Sequence, residues 1–104
     1  MAWIYLFFAG LLEIAWATGM KQSAGFTRLW PSVFTLVTMT GSFLLLAAAM
    51  RSLPLGTAYA VWTGIGTLGA FVLGIVLMGE PATALRLGAA GLILSGIVLM
   101  KVAT

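Results

Sequence analysis

The sequence predicts an all-α integral membrane protein of four transmembrane helices, and three observations lead to this prediction. Of the 104 residues, 62% are hydrophobic and only 7% are charged, whereas soluble domains have about 25% charged residues. A helix that crosses a bilayer needs about 20 mostly apolar residues, so four helices and short turns use the whole chain. The charged residues other than Glu13 punctuate the apolar stretches. We expect one transmembrane domain over residues 1–104, with helices at about 3–20, 32–50, 55–78 and 85–102.

The composition also excludes several classes of function. The chain has no cysteine and no histidine, so it lacks thiol chemistry and the commonest metal ligands. We therefore expect no metal site, no cofactor and no enzymatic activity. The basic residues are scattered and do not form a stripe on one face, which argues against nucleic acid as a partner.

The first predicted helix carries a carboxylate, Glu13, in its middle. A charged side chain at the centre of a membrane costs roughly 2.5–3.5 kcal/mol on insertion scales, so Glu13 is a candidate functional residue. Gly10 and Trp16 share its face at helical spacing. The small-x-small run at 15–17 imitates a signal-peptide cleavage site, but an acidic residue interrupts the segment and no basic residue precedes it, so we expect a mature helix.

The second predicted helix has Pro31 at its first turn, where the missing N–H is harmless, and a polar face of Thr35, Thr38 and Ser42. Ser42 can lie at the same depth as Glu13, which makes it a candidate site residue. The alternative is that these hydroxyl groups bond their own backbone or a neighbouring helix, as is common in membranes.

The third predicted helix places Tyr59, Trp62, Thr63 and Gly66 on one face. Tryptophan usually lies at the membrane interface, so Trp62 inside the apolar run indicates a binding surface, with internal packing as the alternative. Gly64 and Gly66 predict a bend, because paired small residues are a known cause of kinks.

The fourth predicted helix has no ionisable residue between Arg86 and Lys101. Its Gly91 and Ser95 form a small-xxx-small step that lets two helices approach closely, so we expect it to mediate oligomerisation. Glu80, in the preceding turn, is interpreted as a solvated loop residue without a transport function.

The basic residues give almost no orientation bias. On one side of a four-helix arrangement lie Lys21, Arg28 and Arg86, and on the other lie Arg51 and Lys101. Because basic residues in short loops set orientation, such a chain can insert both ways and form an antiparallel, dual-topology homodimer. Two such copies would act as inverted repeats, a recurrent basis of alternating access.

Three segments resemble the small multidrug resistance transporters over almost the whole chain: residues 9–13 (AGLLE), 25–32 (GFTRLWPS) and 56–66 (GTAYAVWTGIG). Within this family the sequence is most similar to the guanidinium exporter subtype, because Trp16 stands where broad-specificity members usually have a small residue. The resemblance implies proton-coupled export by an antiparallel dimer in the bacterial inner membrane, with Glu13 of both subunits binding either proton or substrate. It also implies that the pocket is lined by Gly10, Trp16, Ser42, Tyr59 and Trp62.

These expectations combine into a mechanism. Guanidinium is planar, cationic and rich in donors, so it fits carboxylate oxygens between aromatic walls. We expect Ser42 and Tyr59 to orient Glu13, and guanidinium to enter only as protons leave. The expected partners are guanidinium and related small cations, protons, lipid and a second copy. Two alternatives stay open: export of quaternary ammonium compounds, and a structural subunit or assembly factor that transports nothing.

Overall fold

The computed structural model describes residues 1–103. This part of the chain forms four α-helices: α1 (Ala2–Gln22), α2 (Leu29–Ala49), α3 (Leu55–Met78) and α4 (Ala84–Ala103). Each helix is long and apolar enough to cross a membrane. The predicted all-α class with four candidate membrane spans is thereby confirmed. α3 runs unbroken through Gly64 and Gly66, so a bend at that point stays a prediction.

The connection between α1 and α2 is shorter than the sequence indicated. α2 begins at Leu29, three residues before the predicted start, and Arg28 precedes it with extended backbone. Proline is tolerated within a first turn because the N–H it lacks has no partner there, so Pro31 does not delay the helix. α1 ends at Gln22 because buried Ser23 holds the turn: its hydroxyl donates to Met20 O (2.7 Å) and accepts from Phe26 N (3.0 Å).

The turn between α3 and α4 is also closed by specific contacts. Gly79 ends α3 with φ 68°, a left-handed conformation that glycine adopts without steric cost. Glu80 then folds back onto α3, where a Cβ added at Gly74 would contact its carboxylate. The same carboxylate lies 3.5 Å from Arg86 Nη2. Glu80 is therefore held by the protein and is not simply a solvated loop residue.

The helices pack unequally. α1 contacts both α2 and α3 closely, whereas the backbone of α4 runs beside α3 alone. The Lys101 side chain of α4 also reaches α1, where its Nζ lies 4.6 Å from the ring centre of Trp3. The described chain is only 16 Å across in its thinnest direction, which is less than two helix diameters.

The buried apolar core is small and comes entirely from the first three helices. Its members are Leu6, Ala9, Leu46, Ala49, Ala58, Val61 and Trp62. No residue of Ala84–Ala103 is buried. α1 therefore packs between α2 and α3. Trp62, a predicted site residue, is itself a member of the core.

Candidate functional site

The site is built around Glu13, whose carboxylate lies against the backbone of α3 at Gly66. A Cβ atom added at Gly66 would overlap Glu13 Oε1 and its neighbouring atoms. Gly66 thus makes space for the carboxylate, a function separate from the bend predicted for it. Glu13 Oε1 is buried and has no hydrogen-bond partner. A buried acceptor without a partner is costly, so this oxygen is available for a proton or a ligand.

Ser42 lies at the contact of three helices. Its hydroxyl donates to Ala9 O of α1 at 2.7 Å and accepts from Trp62 Nε1 of α3 at 2.9 Å. Ser42 is fully buried, and this bonding fixes the position of the Trp62 indole. The sequence-based expectation was that Ser42 orients Glu13. In the structure its contacts orient Trp62 instead.

Aromatic rings from all three packed helices form a continuous cluster, and one of its members, Trp16, follows Glu13 by one turn of α1. Trp16 and Phe43 meet edge to face with ring centres 6.3 Å apart, and Phe43 and Trp62 do so at 5.8 Å. Tyr59 and Trp62 lie 5.6 Å apart in a tilted arrangement. Phe43 thereby connects the predicted residues Trp16 and Trp62, and Trp62 contacts Tyr59 directly.

Sequence reasoning missed Phe43. It follows Ser42 directly and therefore lies outside the polar face formed by Thr35, Thr38 and Ser42. A phenylalanine in an apolar helix gives no signal of its own, because nothing in its type distinguishes a lipid-facing ring from one that bridges two indoles. Its bridging position depends on tertiary packing, which brings Phe43 of α2 against Trp16 of α1 and Trp62 of α3.

Three polar side-chain atoms in residues 1–103 are buried without a hydrogen-bond partner: Glu13 Oε1, Trp16 Nε1 and Thr63 Oγ1. Most buried polar groups in native proteins are paired, so three orphans in so small a core are unusual. All three belong to faces that the sequence singled out. The sequence places Thr63 on the face of Trp62, but Thr63 is not among the predicted site residues.

Gly10 and Tyr59 differ in burial. Gly10 is buried where a Cβ would overlap the Ile65 side chain, so it lets α1 approach α3. Tyr59 is 53% exposed although its ring belongs to the aromatic cluster. The cluster is therefore open on the side of Tyr59.

The residues predicted for dimerisation lie away from this cluster, on α4. Gly91 and Ser95 are both exposed, and Ser95 Oγ donates to Gly91 O at 2.8 Å within the helix. The small-xxx-small step is thus free of contacts with the other helices of the same chain. No group of three or more metal-binding side chains occurs in the part of the chain that the structure describes.

A comparison with known protein families bears on this arrangement. Residues 1–94 match the family described as Small Multidrug Resistance protein. The chain belongs to this family. The predicted resemblance is confirmed, and so is the prediction of a membrane transporter with no enzymatic activity. The four candidate spans make it a multi-pass membrane protein related to bacterial exporters.

Similar proteins cover the chain from end to end. A guanidinium exporter of Yersinia pseudotuberculosis serotype I (strain IP32953) is 61% identical over 104 residues, which is all of both chains. A guanidinium exporter of Escherichia coli (strain K12) is 57% identical over all of this chain and 99% of the relative. One from Citrobacter freundii is 55% identical with the same coverage.

Proposed function

We propose that the protein exports guanidinium in exchange for protons across the bacterial inner membrane. The observation that carries this proposal is the carboxylate of Glu13, whose buried oxygen is unpaired one helical turn from Trp16, a member of the aromatic cluster. Guanidinium needs acceptor oxygens in its plane and apolar or aromatic surfaces on its faces. The names of the full-length relatives support the same substrate.

The exchange follows from competition for one carboxylate. A charged carboxylate in a low-dielectric site is costly unless it is paired, so the empty site favours the protonated form. A bound guanidinium supplies the counter-charge and makes the proton unnecessary. Binding both together would leave the cation without its partner charge. Proton and substrate therefore exclude each other, and each must leave before the other binds.

The working unit in this proposal is an antiparallel homodimer with two Glu13 residues in one cavity. Three features support it: no residue of Ala84–Ala103 is fully buried, the bundle is thin, and Tyr59 is half exposed beside the cluster. A second copy would cover these surfaces, with Gly91 and Ser95 at the contact between α4 helices. The near-equal division of basic residues between the two sides permits both orientations.

The energetics follow from the number of protons. If both Glu13 carboxyl groups release a proton for each guanidinium, two charges enter and one leaves in each cycle. One net charge then moves inward, so the membrane potential contributes about 2.3 kcal/mol per 100 mV. The pH gradient adds about 1.4 kcal/mol per pH unit for each proton.

The direct test is guanidinium transport into proteoliposomes driven by a pH gradient. We expect Glu13→Gln to abolish proton-coupled uptake, because the amide keeps the shape of the side chain but can neither release a proton nor balance a cation. Glu80→Gln is the matched control, since it makes the same change at the chain's other acid, which is paired with Arg86 outside the cluster. It should retain uptake. Coupled uptake by Glu13→Gln would contradict the proposal.

One observation favours a second cargo. The aromatic cluster offers ring faces for cation–π contacts, which also bind quaternary ammonium groups. Such cations have no N–H donors and would leave the unpaired Glu13 oxygen without a hydrogen bond. Parallel uptake assays with guanidinium and a quaternary ammonium compound distinguish the two cargoes. We expect guanidinium to be preferred.

A further inference from the structure

Thr63 stands apart from the other hydroxyl-bearing residues of the membrane helices. The common pattern is a bond from the hydroxyl to the backbone carbonyl four residues earlier, at 2.7–2.9 Å, and it holds for Thr18, Thr35, Thr38, Thr40, Thr67 and Ser95. This is the usual way in which such groups are satisfied in lipid. Thr63 Oγ1 makes no such bond, although it is buried.

The position of Thr63 relates this orphan hydroxyl to the site. Thr63 lies one helical turn before Gly66, against which the Glu13 carboxylate rests, and directly after Trp62, which Ser42 holds. Residues three apart on a helix are neighbours on its surface, about 5–6 Å apart at Cβ. The unpaired oxygens of Thr63 and Glu13 therefore lie on the same side of α3.

The chemistry of the two oxygens is complementary to a cation with several donors. A carboxylate accepts two hydrogen bonds in the plane of a guanidinium and leaves its remaining N–H groups without acceptors. A threonine hydroxyl has two lone pairs and can accept one of these N–H groups. Ser42 cannot do so freely, because its hydroxyl is engaged by Ala9 and Trp62. Thr63 Oγ1, which has no hydrogen-bond partner in the structure, is thus available to accept an N–H of the cation.

We propose that Thr63 is a specificity-determining residue whose hydroxyl accepts a hydrogen bond from guanidinium bound to Glu13. This proposal rests on the function proposed above and adds a residue to its recognition. A quaternary ammonium group has no N–H to donate and would gain nothing from Thr63. The hydroxyl therefore favours guanidinium over cations of equal charge that lack donors.

The test is guanidinium binding to the purified full-length protein in detergent, followed by tryptophan fluorescence. Trp16 and Trp62 lie in the site and serve as the reporters. Thr63→Val keeps the branched shape and removes the acceptor, so we expect the dissociation constant to rise at least about tenfold, because bonds to charged groups are among the stronger ones. Thr63→Ser keeps the hydroxyl and should stay within about twofold of the unmodified protein.

Two further measurements separate recognition from a purely structural effect. Thr67→Val is the matched control, since the Thr67 hydroxyl is exposed and bonds Thr63 O at 2.7 Å; we expect its guanidinium affinity to be unchanged. A pH titration of the same fluorescence without guanidinium reports proton binding at Glu13. Its midpoint should be the same in Thr63→Val as in the unmodified protein, whereas distorted packing would move both midpoint and affinity.

Several outcomes would overturn the proposal: unchanged affinity in Thr63→Val, equal loss in Thr63→Ser, or a midpoint that moves with the affinity. If Thr63→Val does not fold, Thr63→Cys takes its place, because a thiol of similar size is a weak acceptor and should show the same loss. Failure of the unmodified protein to bind guanidinium at all would instead contradict the proposed function. The two hypotheses therefore fail in different ways.

Discussion

The first three helices and the fourth helix are built for different surroundings. α1, α2 and α3 share a small core, and their buried polar groups include Ser42, which bonds across two helix contacts. α4 is as apolar as α2, yet none of its residues in Ala84–Ala103 is buried and its Ser95 bonds only its own backbone. Helices of similar apolar content thus pack differently: α2 packs within the chain, and α4 lies on its surface.

Apolar content alone therefore does not determine where a membrane helix packs. In a bilayer, an apolar side chain gains little by exchanging lipid contacts for contacts with another helix, because lipid tails are equally apolar. Close packing and polar bonds therefore decide which helices associate. α1 to α3 have such bonds within the chain. α4 has exposed small residues, Gly91 and Ser95, an arrangement expected of a helix that meets a second copy. The same alanine change should therefore act differently in the two regions.

The largest contrast is expected from adding one methyl group to a glycine in each region. In Gly66→Ala the new Cβ would overlap the Glu13 carboxylate and displace it from the site. We expect guanidinium affinity to fall roughly a hundredfold, since each charge-assisted hydrogen bond is worth about a factor of ten or more. Gly96→Ala on α4 meets no atom within 4 Å and should bind as the unmodified protein does. Equal affinities in fluorescence titrations would show that the carboxylate does not need this space.

A second contrast concerns serine. Ser42→Ala removes the acceptor of Trp62 Nε1 and the donor to Ala9 O, so we expect the free energy of unfolding to fall by about 1–3 kcal/mol. Ser95→Ala removes an exposed bond within one helix turn and should change stability by less than about 0.5 kcal/mol. Unfolding in mixed detergent micelles measures both. A large loss in Ser95→Ala would mean that α4 depends on this hydroxyl after all.

The third contrast tests the outer face of α4 itself. Gly91→Leu places a bulky side chain where two helices are proposed to meet, and overpacking there should raise the dimer dissociation constant about tenfold. Gly91→Ala keeps a small residue and serves as its control. Cross-linking at graded protein concentrations gives the dimer fraction. A dimer that tolerates leucine at this position would place the contact elsewhere.

Much of this arrangement could be predicted because membrane sequences are constrained. Four apolar stretches of bilayer length predicted four helices, and the isolated Glu13 and the internal Trp62 indicated the faces of α1 and α3 on which the candidate site is placed. Helix starts were less predictable: Pro31 indicated the first turn of α2 but not that the helix begins two residues before it. Local rules permit either start, because proline is tolerated anywhere in the first turn of a helix.

The pairings across helices could not be read from the chain. Nothing in the sequence indicates that the Ser42 hydroxyl is used by Trp62, because both residues are compatible with contacts to Glu13. Phe43 and Thr63 were likewise undistinguished, since a phenylalanine next to a polar face and a threonine in a helix are common. Their importance depends on which neighbours face them and, for Thr63, on a backbone bond that it does not make.

The central step of the proposed exchange is the release of protons from Glu13 as guanidinium binds. Purified protein in weakly buffered detergent near neutral pH is titrated with guanidinium while the solution pH is followed. We predict saturable proton release in the unmodified protein and in Glu80→Gln, and none in Glu13→Gln. Guanidinium binding without proton release, or the same release from Glu13→Gln, would contradict the exchange at this carboxylate.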